Sequence, residues 1–156
     1  MSKQLHYIIS PLFYLGVMVV GRTFTGQGLT EWYPSITKPS YTPPGSFIGI
    51  VWTIIFVLSA ISLILFINRG RESKAFWLII GVFIFNGIVN TAWSYIFFTR
   101  HMIGLAVIDS LLILITVGLL MVLTWPYSKA SSILLLPYLL WVSFATYLTY
   151  VIYVMN

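Results

Sequence analysis

The chain has 156 residues, of which 60% are hydrophobic and only 7% charged, with a formal net charge of +5 and no cysteine. Soluble domains carry about 25% charged residues, so this much apolar surface can be hidden only in lipid. The eight basic residues are scattered, which argues against a nucleic-acid partner, and the lack of cysteine excludes disulfides and thiolate chemistry.

Crossing the hydrocarbon core takes about 20 apolar residues. Five segments qualify, so the chain reads as all-α: an integral membrane bundle of five transmembrane helices in a single domain over residues 1–156. A β-barrel is excluded by segment length, since its strands need only about 10 alternating residues. The first span runs from about Leu5 to Phe24 with Pro11 in its opening turns. It follows Lys3 like a signal peptide but lacks a small-x-small cleavage site, so it reads as a retained helix.

The stretch from Trp32 to Pro44 cannot be a span. Prolines at 34, 39, 43 and 44 remove donors and fix φ, which predicts an ordered, extended loop between helices 1 and 2. The loop also carries Trp32, Tyr33 and Tyr41. It reads either as a stiff lid over a flat ligand or as an aromatic anchor at the membrane interface.

The second span runs from about Ser46 to Ile67, entered through Pro43-Pro44-Gly45. The third covers about Ala75 to Phe98, the fourth about Met102 to Thr124, and the fifth about Ser131 to Tyr153 with Pro137 inside it. Short connections make neighbouring helices antiparallel. Lys3, Arg69, Arg71, Lys74 and Lys129 fall on the amino-terminal side, against Arg22, Lys38 and Arg100 on the other. That balance favours a cytoplasmic amino terminus with the proline loop outside the cell membrane.

Polar groups at membrane depth are costly and therefore informative. Asn86, Asn90, Trp93 and Phe97 recur at i, i+4, i+7 and i+11 and line one face of the third span. The asparagines read either as interhelical glue or as fixings for a ligand. Asp109 is the one carboxylate inside a span, and Arg22 lies near the end of the first span on the same side, so the two are expected to form a structural ion pair. In the fifth span Trp141, Ala145 and Thr149 share a face.

At about 1.5 Å per residue, Trp52 lies roughly 9 Å, Trp93 roughly 8 Å and Asp109 roughly 10 Å from the loop-side ends of their spans. The unusual residues thus gather beneath the loop, which predicts a flat apolar slot with a few polar fixings. There is no Ser/His/Asp set, no phosphate-binding glycine loop and no clustered metal ligands. His6 and His101 fall at opposite interfaces, away from any mid-bundle haem. Gly45-x3-Gly49 and the Gly81 to Gly87 segment are candidate close-packing faces for a homodimer.

Trp32-Tyr33, Lys38-Pro39-Ser40, Pro43-Pro44, Trp52, Asn86, Asn90, Trp93, Asp109 and Pro137-Tyr138-x2-Trp141-x2-Phe144-Ala145 together resemble the translocator protein family. Its bacterial members are called tryptophan-rich sensory proteins and its mammalian members peripheral benzodiazepine receptors. The likeness extends from about Gly16 to the end of the chain. It implies a five-helix bundle, often dimeric, that binds porphyrins such as protoporphyrin IX and synthetic isoquinoline and benzodiazepine-type ligands beneath the first loop. No cofactor is expected beyond such a tetrapyrrole ligand. By position, the ligand-binding residues would be Trp32, Tyr33, Pro43, Trp52, Asn86, Asn90, Trp93, Trp141 and Ala145.

Family members are linked to tetrapyrrole and sterol handling, and some bacterial ones to light-dependent breakdown of protoporphyrin. On that reading Trp52 and Trp141 are the residues for photo-oxidation, and Lys38 or Arg22 would meet the porphyrin carboxylates. The alternative is a tetrapyrrole or sterol carrier that does no chemistry. Three departures stand out: Tyr41 where many members have Trp, Thr149 where Asn is usual, and a carboxy-terminal Val151–Asn156 segment without the basic residue of the sterol-recognition pattern. The last lowers the expectation of sterol binding.

Overall fold

The computed structural model describes residues 4–156, so Lys3 and its topological role lie outside the described residues. Five helical stretches are long and apolar enough to cross a membrane. Helix α1 spans His6–Leu29, α3 Gly45–Gly70, α4 Phe76–Ser94, and α5 Ile103–Thr124. The last crossing is split into α6, Lys129–Leu134, and α7, Leu136–Met155.

These spans bury little of themselves; at most 44% of the most apolar window of any span is inside the bundle. Isoleucines, leucines and valines such as Ile50, Ile108, Ile115 and Val122 therefore face outward. In water this would be a fatal apolar surface, whereas in lipid it is the expected one.

Four departures from the sequence expectation have local causes. Helix α1 runs five residues past Phe24, to Leu29. Thr23 and Thr25 donate to the carbonyls of Val19 and Gly21 at 2.9 Å, so the polar turns remain helical above the apolar run. The proline loop is not extended throughout: Trp32–Ser35 form one helical turn, α2. Pro34 sits in that first turn, where a missing N–H costs nothing. The end of the third crossing is a π turn over Tyr95–Thr99. The last crossing breaks at Leu135 because Pro137 cannot continue the preceding helix and instead opens α7. Ser128 caps α6 by accepting from the backbone N–H of Ser131.

Helix α1 packs on α3 and α4, while α5 packs on α4 and α7. One core, built from residues such as Ile55, Phe66, Phe83, Val117 and Tyr138, fills the half of the bundle away from the loop. A second cluster, with Phe97, Phe98, Ala106, Leu148 and Ile152, lies under α2, and Trp32, Tyr33 and Ile36 pack on it. Close approach at two glycines shapes the α1 contacts. A Cβ on Gly28 would lie 2.2 Å from the Phe98 carbonyl oxygen, and one on Gly87 would lie 2.6 Å from the Phe13 ring. Gly87 is thus used inside the bundle. Gly45, Gly49 and Gly81 have nothing within 4 Å of a built Cβ.

Candidate functional site

A cavity of about 620 Å³ opens beneath the proline loop, inside the range of roughly 300–1,000 Å³ usual for small-molecule sites. Its walls are mostly aromatic and aliphatic. Trp52 comes from α3, Trp93 from α4, Phe97 and Phe98 from the π turn, and Trp141 and Ala145 from α7. Tyr33 of α2 closes the loop side, and burial raises the pKa of its phenol above the ordinary value.

Six of the nine sequence-predicted binding residues line this space: Tyr33, Trp52, Asn90, Trp93, Trp141 and Ala145. Trp32, Pro43 and Asn86 do not line it. Trp32 instead stacks on His101, ring centroids 4.2 Å apart and 11° from parallel, and meets Phe97 edge-on. It fastens the loop rather than facing a ligand. His101 takes up this position through a left-handed backbone turn with φ 56°. His6, at the other face, is buried and its Nε2 lies 2.7 Å from Asn68 Oδ1, tying the start of α1 to the end of α3.

Asn86 is 1% exposed because it is consumed by the scaffold. Its amide donates to Thr116 Oγ1 at 2.8 Å, and its Oδ1 accepts from the Tyr138 hydroxyl at 3.0 Å. Asn90 donates to the same Tyr138 oxygen at 2.9 Å. The two asparagines differ in role although both lie on one helix face: Asn86 joins α4, α5 and α7, and Asn90 joins α4 to α7 at the cavity wall.

The expected ion pair between Arg22 and Asp109 does not form. Asp109 Oδ2 is buried without a hydrogen-bond partner, while Arg22 lines the cavity with an exposed side chain. A shared side of the membrane is the basis for pairing them, but α1 packs on α3 and α4 and α5 on α4 and α7, which keeps the two helices apart. Lys38 is also placed differently from expectation. Its ammonium donates to the Tyr33 and Ile36 carbonyls and lies over the Tyr33 ring, so it staples the loop and leaves Arg22 as the cation at the cavity.

The indole nitrogens of Trp93 and Trp141 are both buried and have no partner. Both rings nevertheless line the cavity, so what they offer a ligand is indole face and edge rather than the N–H. Among the described residues no group of three or more His, Asp or Glu side chains is placed to hold a metal. The α1 wall, with Val17, Met18 and Gly21, carried no sequence signal, because these residues are indistinguishable from lipid-facing ones.

A family model described as TspO/MBR family matches residues 8–155. The chain belongs to this family. It is 44% identical over 126 residues to the tryptophan-rich protein TspO of Bacillus cereus, an alignment covering 80% of each chain. It is 34% identical to the tryptophan-rich protein TspO of Archaeoglobus fulgidus across 97% of both chains. The human translocator protein is 31% identical over 140 residues, covering 89% of this chain and 82% of that one. Family membership and the five apolar helices make it a multi-pass membrane protein.

Within the family pattern, the unusual positions have visible local partners. Tyr41 stacks on Tyr147 at 6.4 Å. Thr149 lines the cavity with its hydroxyl donated to the Ala145 carbonyl at 2.8 Å, so it offers the ligand a methyl group more than a polar atom. Asn156, where the sterol pattern would end, is hydrogen-bonded through its side chain to the backbone of Thr37 in the proline loop.

Proposed function

We propose that this chain is a membrane receptor for flat lipophilic ligands, porphyrins such as protoporphyrin IX and isoquinoline or benzodiazepine-type compounds among them. The observation that carries this reading is the cavity itself: three tryptophans in its wall, and Arg22 as its cation. Indole faces suit the macrocycle, and a guanidinium pairs with a carboxylate in a bidentate geometry. Ligands of this class fit the TspO/MBR family to which the chain belongs. The cell membrane is its expected location, and a homodimer its expected assembly.

A second reading adds chemistry. Trp52 and Trp141 both line the cavity, within reach of one bound macrocycle. Illuminated protoporphyrin activates dioxygen, and indole is readily oxidised by the products, so these tryptophans would carry the porphyrin's oxidative breakdown. Without that chemistry the protein is a tetrapyrrole carrier or buffer.

Tryptophan fluorescence titrated with protoporphyrin IX in the dark, followed by spectra under illumination, separates these readings. Saturable quenching is expected. New absorption bands in light that vanish in a Trp52→Phe/Trp141→Phe variant with intact dark binding support breakdown. Binding with unmodified porphyrin after illumination supports the carrier. Absence of saturable quenching overturns the receptor reading.

A further inference from the structure

The cavity is enclosed on most sides and open on one. Its lining residues from α4, the π turn, α5 and α7 are all buried or half-buried. Every exposed lining residue belongs to α1 or α3, among them Arg22, Leu29, Ser46, Gly49, Ile50 and Thr53. These lie on the facing edges of two neighbouring helices. Thr53 is eight residues into α3, roughly 12 Å along its axis, and Arg22 roughly 10 Å back from the end of α1. The opening therefore reaches from the interface into the hydrocarbon region. It is a slot in the side of the bundle.

The loop above is fastened by contrast. The Asn156 side chain accepts from the Thr37 backbone N–H at 2.9 Å and donates to the Thr37 carbonyl at 2.9 Å. It donates also to the Ile152 carbonyl at 2.8 Å, which fixes it to the last turn of α7. This pairs the middle of the loop with the end of the chain as a strand partner would. The Trp32 stack on His101 holds the near end of the loop, and the Tyr41 stack on Tyr147 the far end. Lys38 ties the intervening turn to itself through the Tyr33 and Ile36 carbonyls.

We propose that ligands reach the cavity from the bilayer, through the seam between α1 and α3, while the proline loop remains fastened over it. This route rests on the receptor reading. The ligand class it selects is an amphiphile that first partitions into the membrane, with a flat apolar body and an acidic edge. Opening the loop would break the two Thr37–Asn156 hydrogen bonds and five aromatic contacts at once. The seam needs only displaced lipid. Gly49 leaves its α3 edge without a side chain, and Thr53 spends its hydroxyl on the Gly49 carbonyl at 2.9 Å, so the threshold offers little polar resistance. Arg22 stands beside it at a depth where a carboxylate edge would travel, its long stem in lipid and its head near the interface.

The test uses the full chain in lipid nanodiscs, with stopped-flow quenching by protoporphyrin IX in the dark. Gly49→Trp should slow association by at least about tenfold and slow dissociation with it, because a gate alters both rates. Ile50→Trp, at a residue 60% exposed, is the second seam variant, in case the first does not fold. A Thr37→Cys/Asn156→Cys chain, which has no other cysteine, locks the loop to α7 when oxidised. Its association rate should stay within about twofold of the reduced form, since no loop motion is required. Slowing by the loop lock, with or without slowing by the seam variants, overturns the route, as does insensitivity to both. Absence of saturable quenching in the unmodified protein overturns the receptor reading and the route with it.

Discussion

The hydroxyl of Tyr138 on α7 sits between two asparagines of α4, accepting from Asn90 at 2.9 Å and donating to Asn86 at 3.0 Å. One buried phenol thus ties the cavity wall to the packed half of the bundle. Tyr138→Phe leaves Asn86 Oδ1 without its donor and removes Asn90's acceptor. Interhelical hydrogen bonds in membranes average about 0.6 kcal/mol each, so a loss on the order of 1–2 kcal/mol is expected. Thermal unfolding in detergent should register it.

Asn86 and Asn90 should separate functionally. Asn86→Ala is expected to lower the unfolding temperature while keeping ligand affinity within about threefold, because Asn86 touches only protein. Asn90→Ala is expected to lower both, since it also lines the cavity. Equal affinity losses for the two would contradict their placement. Titration of each variant with the same porphyrin decides it.

Arg22 should discriminate by ligand charge. Arg22→Gln is expected to weaken protoporphyrin IX by about tenfold and its dimethyl ester hardly at all, because only the free acid can pair with the guanidinium. The charge swap Arg22→Asp/Asp109→Arg is expected to rescue nothing, as the two side chains do not meet. Rescue by the swap would restore the ion pair that a shared side of the membrane suggested.

Gly28 and Gly26 lie two residues apart on α1 yet should respond oppositely to alanine. A Cβ at Gly28 meets the Phe98 carbonyl oxygen at 2.2 Å, while one at Gly26 meets nothing within 4 Å. Gly28→Ala must push α1 off the π turn and is expected to cost at least about 1–3 kcal/mol as overpacking. Gly26→Ala should be neutral or slightly stabilising. Parallel melting curves compare them directly.

Asn156→Ala removes the two side-chain hydrogen bonds that join the loop to the end of α7, and the one to Ile152 that holds the side chain in place. Amide exchange at Thr37 should rise by about tenfold or more, since its N–H loses its acceptor. Porphyrin association should stay the same if entry is lateral. An unchanged Thr37 exchange rate would mean that the rest of the loop suffices to hold it.

Much of this molecule was legible without coordinates. Unbroken apolar runs dictate spans, because lipid cannot satisfy an open backbone, and the number and approximate limits of the five helices follow from that alone. Depth along the spans put Trp52, Asn90 and Trp93 in the half beneath the loop, and the family resemblance, carried over by position, added Trp141 and Ala145; all five line the cavity. What depth and face could not supply was the direction of packing between helices. Asn86 and Asn90 share a face, yet only Asn90 meets the cavity. Arg22 and Asp109 share a side of the membrane, yet they sit on helices that do not pack together. The lateral seam has no sequence signature at all, because a lipid-facing residue and a portal residue are equally apolar. Hydropathy along the chain determined which segments enter the membrane. Only the tertiary arrangement decided which of their side chains enclose a space, because enclosure depends on neighbours that the linear order does not specify.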